Sequence, residues 1–239
     1  MHVRHCDSCA VRQKSLCGAL TGDEIGRLNA MAVHKRVPAG KVILSDQEAQ
    51  TSFANVISGV VKLSKTLADG RQQIVGLQFP SDFLGRPFGA RIAYDAQAAT
   101  NVHLCTFSRT QFERLIKEHP GLEHRLFAHT LDELDAAREW MLLLGRKSAR
   151  EKVASLLLMI ARRSLSVDCL PRKDTDAIGF ELPLSRAEIA DYLGLTIETV
   201  SRQLTALKTS RVIVLRSQRE IQVPDLARLE QAAEHSSDS

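Results

Sequence analysis

No stretch of apolar residues in this chain approaches the length of a membrane span. The longest, Leu156-Leu157-Leu158-Met159-Ile160-Ala161, is far shorter than the roughly 20 residues that a spanning helix needs. The opening Met1-His2-Val3-Arg4-His5-Cys6-Asp7 has no apolar core of the secretory kind, so the expected location is the cytoplasm. Tandem repeats and low-complexity tracts are absent. So are phosphate-binding glycine loops, HExxH pairs and nucleophile–base motifs, which argues against an enzyme. Neither sign of charge dominates: 32 Lys and Arg stand against 28 Asp and Glu, a net of +4. Such a balance permits a polyanionic partner without identifying one. What is present is a globular composition, 44% hydrophobic and 25% charged over 239 residues. It excludes a disordered, collagen-like or coiled-coil chain, and the length suits one large domain or two small ones.

The texture changes along the chain. Residues 1–20 have little hydrophobic periodicity. From about Val33 to Phe107, short β-branched runs alternate with turn signals at Ala39-Gly40, Ser58-Gly59, Asp69-Gly70 and Ser81-Asp82. Asp69-Gly70 predicts a hairpin, and alternation in residues 73–79 puts Val75, Leu77 and Phe79 on one face. Many short strands with glycine turns predict an antiparallel barrel or roll over residues 21–121. A short helix over Thr110–His119 is expected to end at Pro120. From residue 122 to 146 a long helical pattern follows, with Phe127, Thr130, Leu134, Ala137, Met141 and Leu144 as a seam suited to a dimer. Trp140 is expected at that seam or against the roll. Another amphipathic helix runs over Ala149–Ser164. Residues 166–176 read as an exposed loop, in which Cys169 is a bystander, and residues 229–239 as a polar tail.

Residues 147–228 carry a helix-turn-helix. Ser185-Arg186-Ala187-Glu188 is a capping box, Ser at the N-cap and Glu three residues on. Ile189, Ala190 and Leu193 supply an apolar face, and Gly194 suits the left-handed residue that ends a helix. Thr196 then caps a second helix with Val200, Leu204 and Leu207 buried. Glu198, Ser201 and Arg202 share its exposed face in the first two turns, the end that enters a major groove. Arg can donate two hydrogen bonds to guanine, Glu can accept from a base amino group, and Ser can meet several base edges. Gln203, Thr205, Lys208 and Arg211 lie where phosphates come within reach. Between Ser185 and Arg219 there are six Lys and Arg against three Asp and Glu. Residues 211–215 and 220–223 read as a two-stranded wing.

Five cysteines remain: Cys6, Cys9, Cys17, Cys105 and Cys169. Three crowd the first seventeen residues, and an odd count in a reducing compartment points to metal or redox chemistry rather than structural disulfides. Thiolates are soft ligands that hold iron–sulfur clusters, usually as four cysteines. Cys6, Cys9 and Cys17 with Cys105 would tie the N-terminal segment, residues 1–20, onto the roll. A four-thiolate zinc site and a thiol–disulfide switch use the same residues. His5 and His103, beside Cys6 and Cys105, are left out of the ligand set.

Gly194-Leu195-Thr196-Ile197-Glu198-Thr199-Val200-Ser201-Arg202 resembles the recognition-helix signature of the CRP/FNR transcription regulators. Residues 20–225 follow that family's order. The implied fold is α+β: an N-terminal antiparallel, cupin-like β-roll sensor, a long dimerisation helix and a C-terminal winged helix-turn-helix. Glu-x-x-Ser-Arg is the motif of the FNR branch, and the spacing of the N-terminal cysteines is similar to that of FnrN- and FixK-type members. The resemblance implies an oxygen-labile [4Fe-4S] cluster on Cys6, Cys9, Cys17 and Cys105, a homodimer when the cluster is bound, and release of DNA when oxygen destroys it. It implies a palindrome close to TTGAT-N4-ATCAA, with Glu198 and Arg202 reading the shared core and Ser201 the branch-specific base. It further implies activation through RNA polymerase at the Ala68-Asp69-Gly70-Arg71 turn, and a Glu139 that helps keep cluster-free subunits apart. The cyclic-nucleotide pocket of the family uses a Glu and an Arg-Ser pair. Here Arg86 and Gln97-Ala98 stand at those places, so cAMP is not the expected effector, since a buried phosphodiester needs a cation or hydroxyl partner. A regulator of the same fold using zinc, a thiol switch, haem or another small molecule is the alternative.

Overall fold

The computed structural model describes residues 6, 9–89, 91–167 and 177–234. His5, Cys169 and most of the expected loop around it, and the last five residues of the expected tail, lie outside the described residues. The chain divides into two compact units, Met1–Asp135 and Ala136–Ser239.

The first unit contains eight strands: β1 (Val33–Val37), β2 (Val42–Leu44), β3 (Ser52–Ser58), β4 (Val61–Thr66), β5 (Gln72–Gln78), β6 (Phe83–Leu84), β7 (Asp95–Ala98) and β8 (Val102–Ser108). They make two antiparallel four-stranded sheets, ordered β1-β8-β3-β6 and β2-β7-β4-β5. Val56, Val61, Leu84, Ala96 and Leu104 fill one core of this roll. Two glycine turns set its corners. At Gly59 φ is +82° and a Cβ would stand 2.3 Å from the Asn101 carbonyl oxygen, so no side chain fits between β3 and β4. At the β4–β5 hairpin Gly70 has φ +86°, and the Asp69 carboxylate accepts the Arg71 backbone N–H at 3.1 Å. The expected face of β5 holds for Phe79, 5% exposed, and is corrected at Val75. Ile74 is 2% exposed and Val75 46%, because the register shifts between Leu63 and Ser64 on the partner strand. One extra residue in a ladder reverses which side chains face inward.

The first sheet has a second apolar face, and helices cover it. Phe53, Phe83 and Phe107 on the strands meet Phe112 of α2 (Arg109–Glu118), with ring centroids 5.3–5.5 Å from that of Phe112. Ile25 and Leu28 of α1 (Gly22–Met31), Leu16 and Leu20 of the N-terminal segment, and Leu122 join the same core. Leu122 belongs to α3 (Pro120–Arg146), 27 residues long. It starts at Pro120, two residues before the expected start at 122, as proline suits a first turn whose N–H has no helical partner. Beyond Leu126, most of α3 faces outward. Phe127, Leu131, Leu134, Met141 and Leu142 are 61%, 45%, 44%, 64% and 61% exposed. Leu131 adds an exposed apolar residue beside Thr130, which is exposed as well, and Leu144 is half-buried.

The second unit contains α4 (Ala149–Val167), β9 (Ile178–Glu181), α5 (Arg186–Leu193), α6 (Ile197–Thr209), β10 (Val214–Leu215), β11 (Glu220–Val223) and α7 (Leu226–Glu234). The wing is three-stranded, ordered β10-β11-β9. β9 is the strand that the sequence pattern did not single out. The segment from residue 229 onward, expected as tail, is helical through Glu234, with Leu229, Ala232 and Ala233 buried. Lys147 Nζ donates to the Ala233 carbonyl at 2.9 Å. Trp140 packs neither at the seam nor on the roll: it stacks on Tyr192 of α5, centroids 4.1 Å apart.

Truncating Phe112 removes the ring that the other three share. Phe112→Ala is expected to destabilise the folded chain by about 3–5 kcal/mol. Urea titration followed by circular dichroism measures the change.

Candidate nucleic-acid interface and thiol cavity

The helix-turn-helix is held by local hydrogen bonds. Ser185 Oγ accepts the Glu188 N–H at 3.3 Å, and Glu188 Oε2 accepts the Ser185 N–H at 2.7 Å. Gly194 ends α5 in the left-handed region, φ +62°, and the Leu195 N–H returns to the Ala190 carbonyl at 3.0 Å. Thr196 Oγ1 then caps α6 by accepting the Thr199 N–H at 3.2 Å. Val200, Leu204 and Leu207 are buried, which turns Glu198, Ser201 and Arg202 outward. Ser201, Arg202, Thr205 and Thr209 line an open groove along that face. No ion pair joins Glu198 to Arg202 among the described residues, so both heads face solvent. The Glu198 carboxyl is held below the usual carboxylate range by its own backbone N–H and by Thr196 at the helix start, and stays an acceptor at neutral pH.

Three basic residues of this unit were not singled out by the sequence pattern. Arg150 at the start of α4 donates to Ser210 Oγ at 3.0 Å, and Arg228 to the Ser210 carbonyl at 3.4 Å. Arg186 donates to the Gln218 carbonyl at 3.1 Å and so fastens the wing turn to α5. Partial burial lowers its affinity for a proton. Only its place in the capping box signalled it. In the wing, Arg216 Nη2 donates to Gln222 Oε1 at 2.7 Å.

The cysteines meet in the first unit. Cys105 lies in the middle of β8, not at its end, opposite His34 of β1 and Asn55 of β3. The segment before α1 folds back over this part of the sheet. The Ser15 N–H reaches the Val11 carbonyl at 3.0 Å, and residues Leu16–Ala19 make a single 3-10 turn. Gly18 is required there, since a Cβ would stand 2.6 Å from the Gln13 carbonyl oxygen. Arg125 of α3 donates to the Gln13 and Lys14 carbonyls at 3.1 and 3.3 Å. As a result Cys6, Cys9, Cys17 and Cys105 line one cavity, with Val11, Arg12, Ser15, Ile25, His34, Asn55 and Ile57 around them. Cys6 and Cys105 are buried, Cys9 and Cys17 half-buried, and none of the four is in a disulfide. His103 does not line it; its Nε2 stands 3.1 Å from His34 Nδ1 at the edge.

The chemistry of this donor set fits a thiolate-bound group. Burial pushes the Cys17 thiol up to about 11, with Cys6 and Cys9 adding to the rise and Ser15 and Asn55 opposing it. Burial raises Cys105 further, reinforced by the other three. Four thiolates in one apolar enclosure need a cationic partner. The void between them is about 20 Å³, room for one water. Among the described residues no three His, Cys, Asp or Glu side chains close on a single metal-ion position. A larger group on these sulfurs needs more room than this void gives.

The nucleotide-pocket positions are occupied by the chain itself. Gly85, φ +137°, has Gln50 Nε2 2.3 Å and Phe53 2.6 Å from where a Cβ would stand. The buried Gln50 also accepts the Arg86 N–H at 2.9 Å. Gln97 Nε2 donates to the Gly40 carbonyl at 2.7 Å, and Ala98 is buried.

Comparison with known proteins places this frame. The chain is 44% identical to the transcriptional activator protein FnrL of Cereibacter sphaeroides, over 99% of this chain and 94% of that one. The chain belongs to the CRP/FNR family of transcription regulators. The cyclic nucleotide-binding domain family matches residues 34–119, and the Crp-like helix-turn-helix domain family residues 151–232. The nitrogen fixation regulation protein FixK of Bradyrhizobium diazoefficiens is 40% identical over 88% of this chain and 86% of its own length. Among solved structures, FixK2 from Bradyrhizobium japonicum superposes with a TM-score of 0.75 at 32% identity, over 86% of this chain and 99% of that one. The α+β fold of roll, long helix and helix-turn-helix is that of the CRP/FNR family, and this member is a DNA-binding regulator of the FNR and FixK type.

Two substitutions on α6 test whether Arg202 reads bases and whether Lys208 meets phosphates. Arg202→Ala is expected to weaken binding to a specific site by about 1–3 kcal/mol and to relax base preference at the position it reads. Lys208→Ala is expected to weaken all sequences alike and to flatten the salt dependence. Fluorescence anisotropy titrations on specific and scrambled duplexes at two salt concentrations measure both.

Proposed function

We propose that this CRP/FNR protein is an oxygen-responsive transcription activator whose Cys6, Cys9, Cys17 and Cys105 hold a [4Fe-4S] cluster. The observation that carries the reading is the convergence of four thiols, from segments about ninety residues apart, on one buried cavity. When bound, the cluster supplies the oxygen-reactive centre. The chain's own residues supply the coupling. The Cys9–Cys17 segment is fastened to α3 by Arg125 and by the core shared with Leu122 and Leu126. A group that sets the position of this segment therefore acts on the helix that carries the exposed apolar seam. It shifts the oligomeric state only in so far as it is held more tightly in the dimer than in the monomer.

The partner proposed for α3 is a second copy. Phe127, Leu131, Leu134 and Met141 are exposed apolar residues of α3 that nothing among the described residues covers, and matching stripes bury each other across a two-fold axis. Glu139 is exposed on the same helix, where like charges across the axis would oppose pairing of cluster-free subunits. Two-fold symmetry presents two α6 helices to half-sites one DNA turn apart. Glu198, Ser201 and Arg202 then read a palindrome of the TTGAT-N4-ATCAA kind. The hairpin at Asp69 and Arg71, stiffened by an exposed 2.8 Å ion pair, is the proposed contact for RNA polymerase. The relatives' names, transcriptional activator and nitrogen fixation regulator, support activation. No described helix is long and apolar enough to cross a membrane, in keeping with a cytoplasmic regulator. Arg86 stands where the family places its Glu, and Gln97 and Ala98 where it places the Arg-Ser pair that holds the phosphate, so cAMP is not proposed.

The test is the absorption spectrum of anaerobically prepared protein before and after air, with iron and acid-labile sulfide assayed. A broad band near about 400 nm that bleaches in air is the expected result. A colourless protein after anaerobic reconstitution with iron and sulfide would remove the oxygen-sensing reading and leave zinc or a thiol switch to explain the cysteines. Independently, Leu134→Glu is expected to yield a monomer by sedimentation and to abolish binding to the palindrome while leaving the fold intact.

A further inference from the structure

Asn55 is an amide where the pattern of its strand calls for an apolar residue. Its neighbours at alternate positions on β3, Phe53 and Ile57, pack into the aromatic core. Asn55 is 3% exposed and stands opposite Cys105 on one side and Phe83 on the other. Its Nδ2 donates to Cys17 Sγ at 3.2 Å. Its Oδ1 is buried with no hydrogen-bond partner. A lone buried acceptor costs stability, about 1–3 kcal/mol in general, and an apolar residue of the same size would avoid that cost. The one thing this amide does that a leucine could not is to present an N–H to sulfur inside the thiol cavity. Ser15 also hydrogen-bonds Cys17, and its hydroxyl reaches the Arg12 carbonyl at 3.1 Å, but Ser15 travels on the same segment as Cys17, whereas Asn55 ties the sulfur to the sheet.

We infer that Asn55 is a positioning residue for the cysteine-bound group: it orients Cys17 and, through an N–H···S hydrogen bond, stabilises negative charge on that sulfur and slows loss of the cluster in air. The inference rests on the cluster reading above. Hydrogen bonds to the sulfurs are among the factors that set the reduction potential of an iron–sulfur centre, and partners of metal ligands orient them and adjust their donor strength. A thiolate that keeps less charge density on the metal side makes the cluster harder to oxidise, so removing the donor speeds its decay.

The experiment uses the full chain, reconstituted anaerobically with iron and sulfide, as wild type, Asn55→Leu and Asn55→Asp. Leu has similar size and no donor; Asp keeps the shape and replaces the donor by an acceptor. Three quantities are measured: iron and sulfide per chain, the rate of absorbance loss at fixed dissolved oxygen, and the thermal midpoint of the metal-free protein. Asn55→Leu is expected to lose its cluster about fivefold faster than wild type, the effect of one ordinary hydrogen bond, and Asn55→Asp faster still. The metal-free Asn55→Leu protein is expected to melt at or above the wild-type temperature, since its unpaired buried oxygen is gone. Opposite signs for fold and cluster separate this role from space-filling, which would weaken both together. A folded variant that takes up no iron or sulfide under conditions that load the wild type counts as the same loss of stabilisation. Should Asn55→Leu not fold, the isosteric Asn55→Asp carries the test. A folded, loaded variant that decays at the wild-type rate overturns the proposal and leaves the cluster reading standing. A wild type that takes up neither iron nor sulfide overturns both.

Discussion

The sheet β1-β8-β3-β6 has two apolar faces, and water cannot be left on either. One face closes on the other sheet of the roll. The second, carrying Phe53, Phe83, Phe107 and Cys105, has no sheet to pack on and is covered by α1, α2, the start of α3 and the segment that bears Cys9 and Cys17. At about 25 cal/mol per Å² of apolar surface removed from water, these three rings and Phe112 of α2 give this layer a large share of the driving force. The thiol cavity is a consequence of that coverage. Cys105 is on the covered face because β8 alternates, and the other cysteines arrive with the segment that Leu16 and Leu20 anchor.

Because the same layer contains Leu122 and Leu126, the thiol cavity and α3 share one core. Arg125 adds directional bonds to two carbonyls of the cysteine segment. Packed cores respond to displacement as units rather than by gradual deformation, so movement of the segment reaches the helix without a separate relay. The exposed stripe further along α3 is the complementary feature. A 27-residue helix with Phe127, Leu131, Leu134 and Met141 in solvent carries apolar area that a partner can bury.

The roll keeps the backbone of its family while its side chains differ from what a nucleotide needs. The family relation to cyclic nucleotide-binding domains lies in the strands and turns over residues 34–119. What a nucleotide phosphate would need is missing from the side chains: Gln50 fills the space beside Gly85, and Gln97 and Ala98 are engaged or apolar. The turn at Gly85 serves the backbone, while the four thiols meet on the face of the first sheet that the helices cover.

Much of this was legible from residues alone. The helix-turn-helix could be read down to its caps, because Ser185, Glu188, Gly194 and Thr196 act through bonds of three or four residues' reach. Glu198, Ser201 and Arg202 followed from helical spacing, and the order of roll, long helix and DNA-binding unit from changes of period. Tertiary structure decided the rest. The face of β5 reversed at Val75, at a bulge that depends on its partner strand. Strand β9 and helix α7 formed because the wing and α4 supplied surfaces to bury them. Leu131 joined the exposed apolar residues of α3, and Trp140 found Tyr192, because the helix is rotated by what it packs against. Asn55 carried no local signal at all. Its meaning lies in a sulfur 38 positions away in sequence and 3.2 Å away in space, a relation that only the folded chain creates.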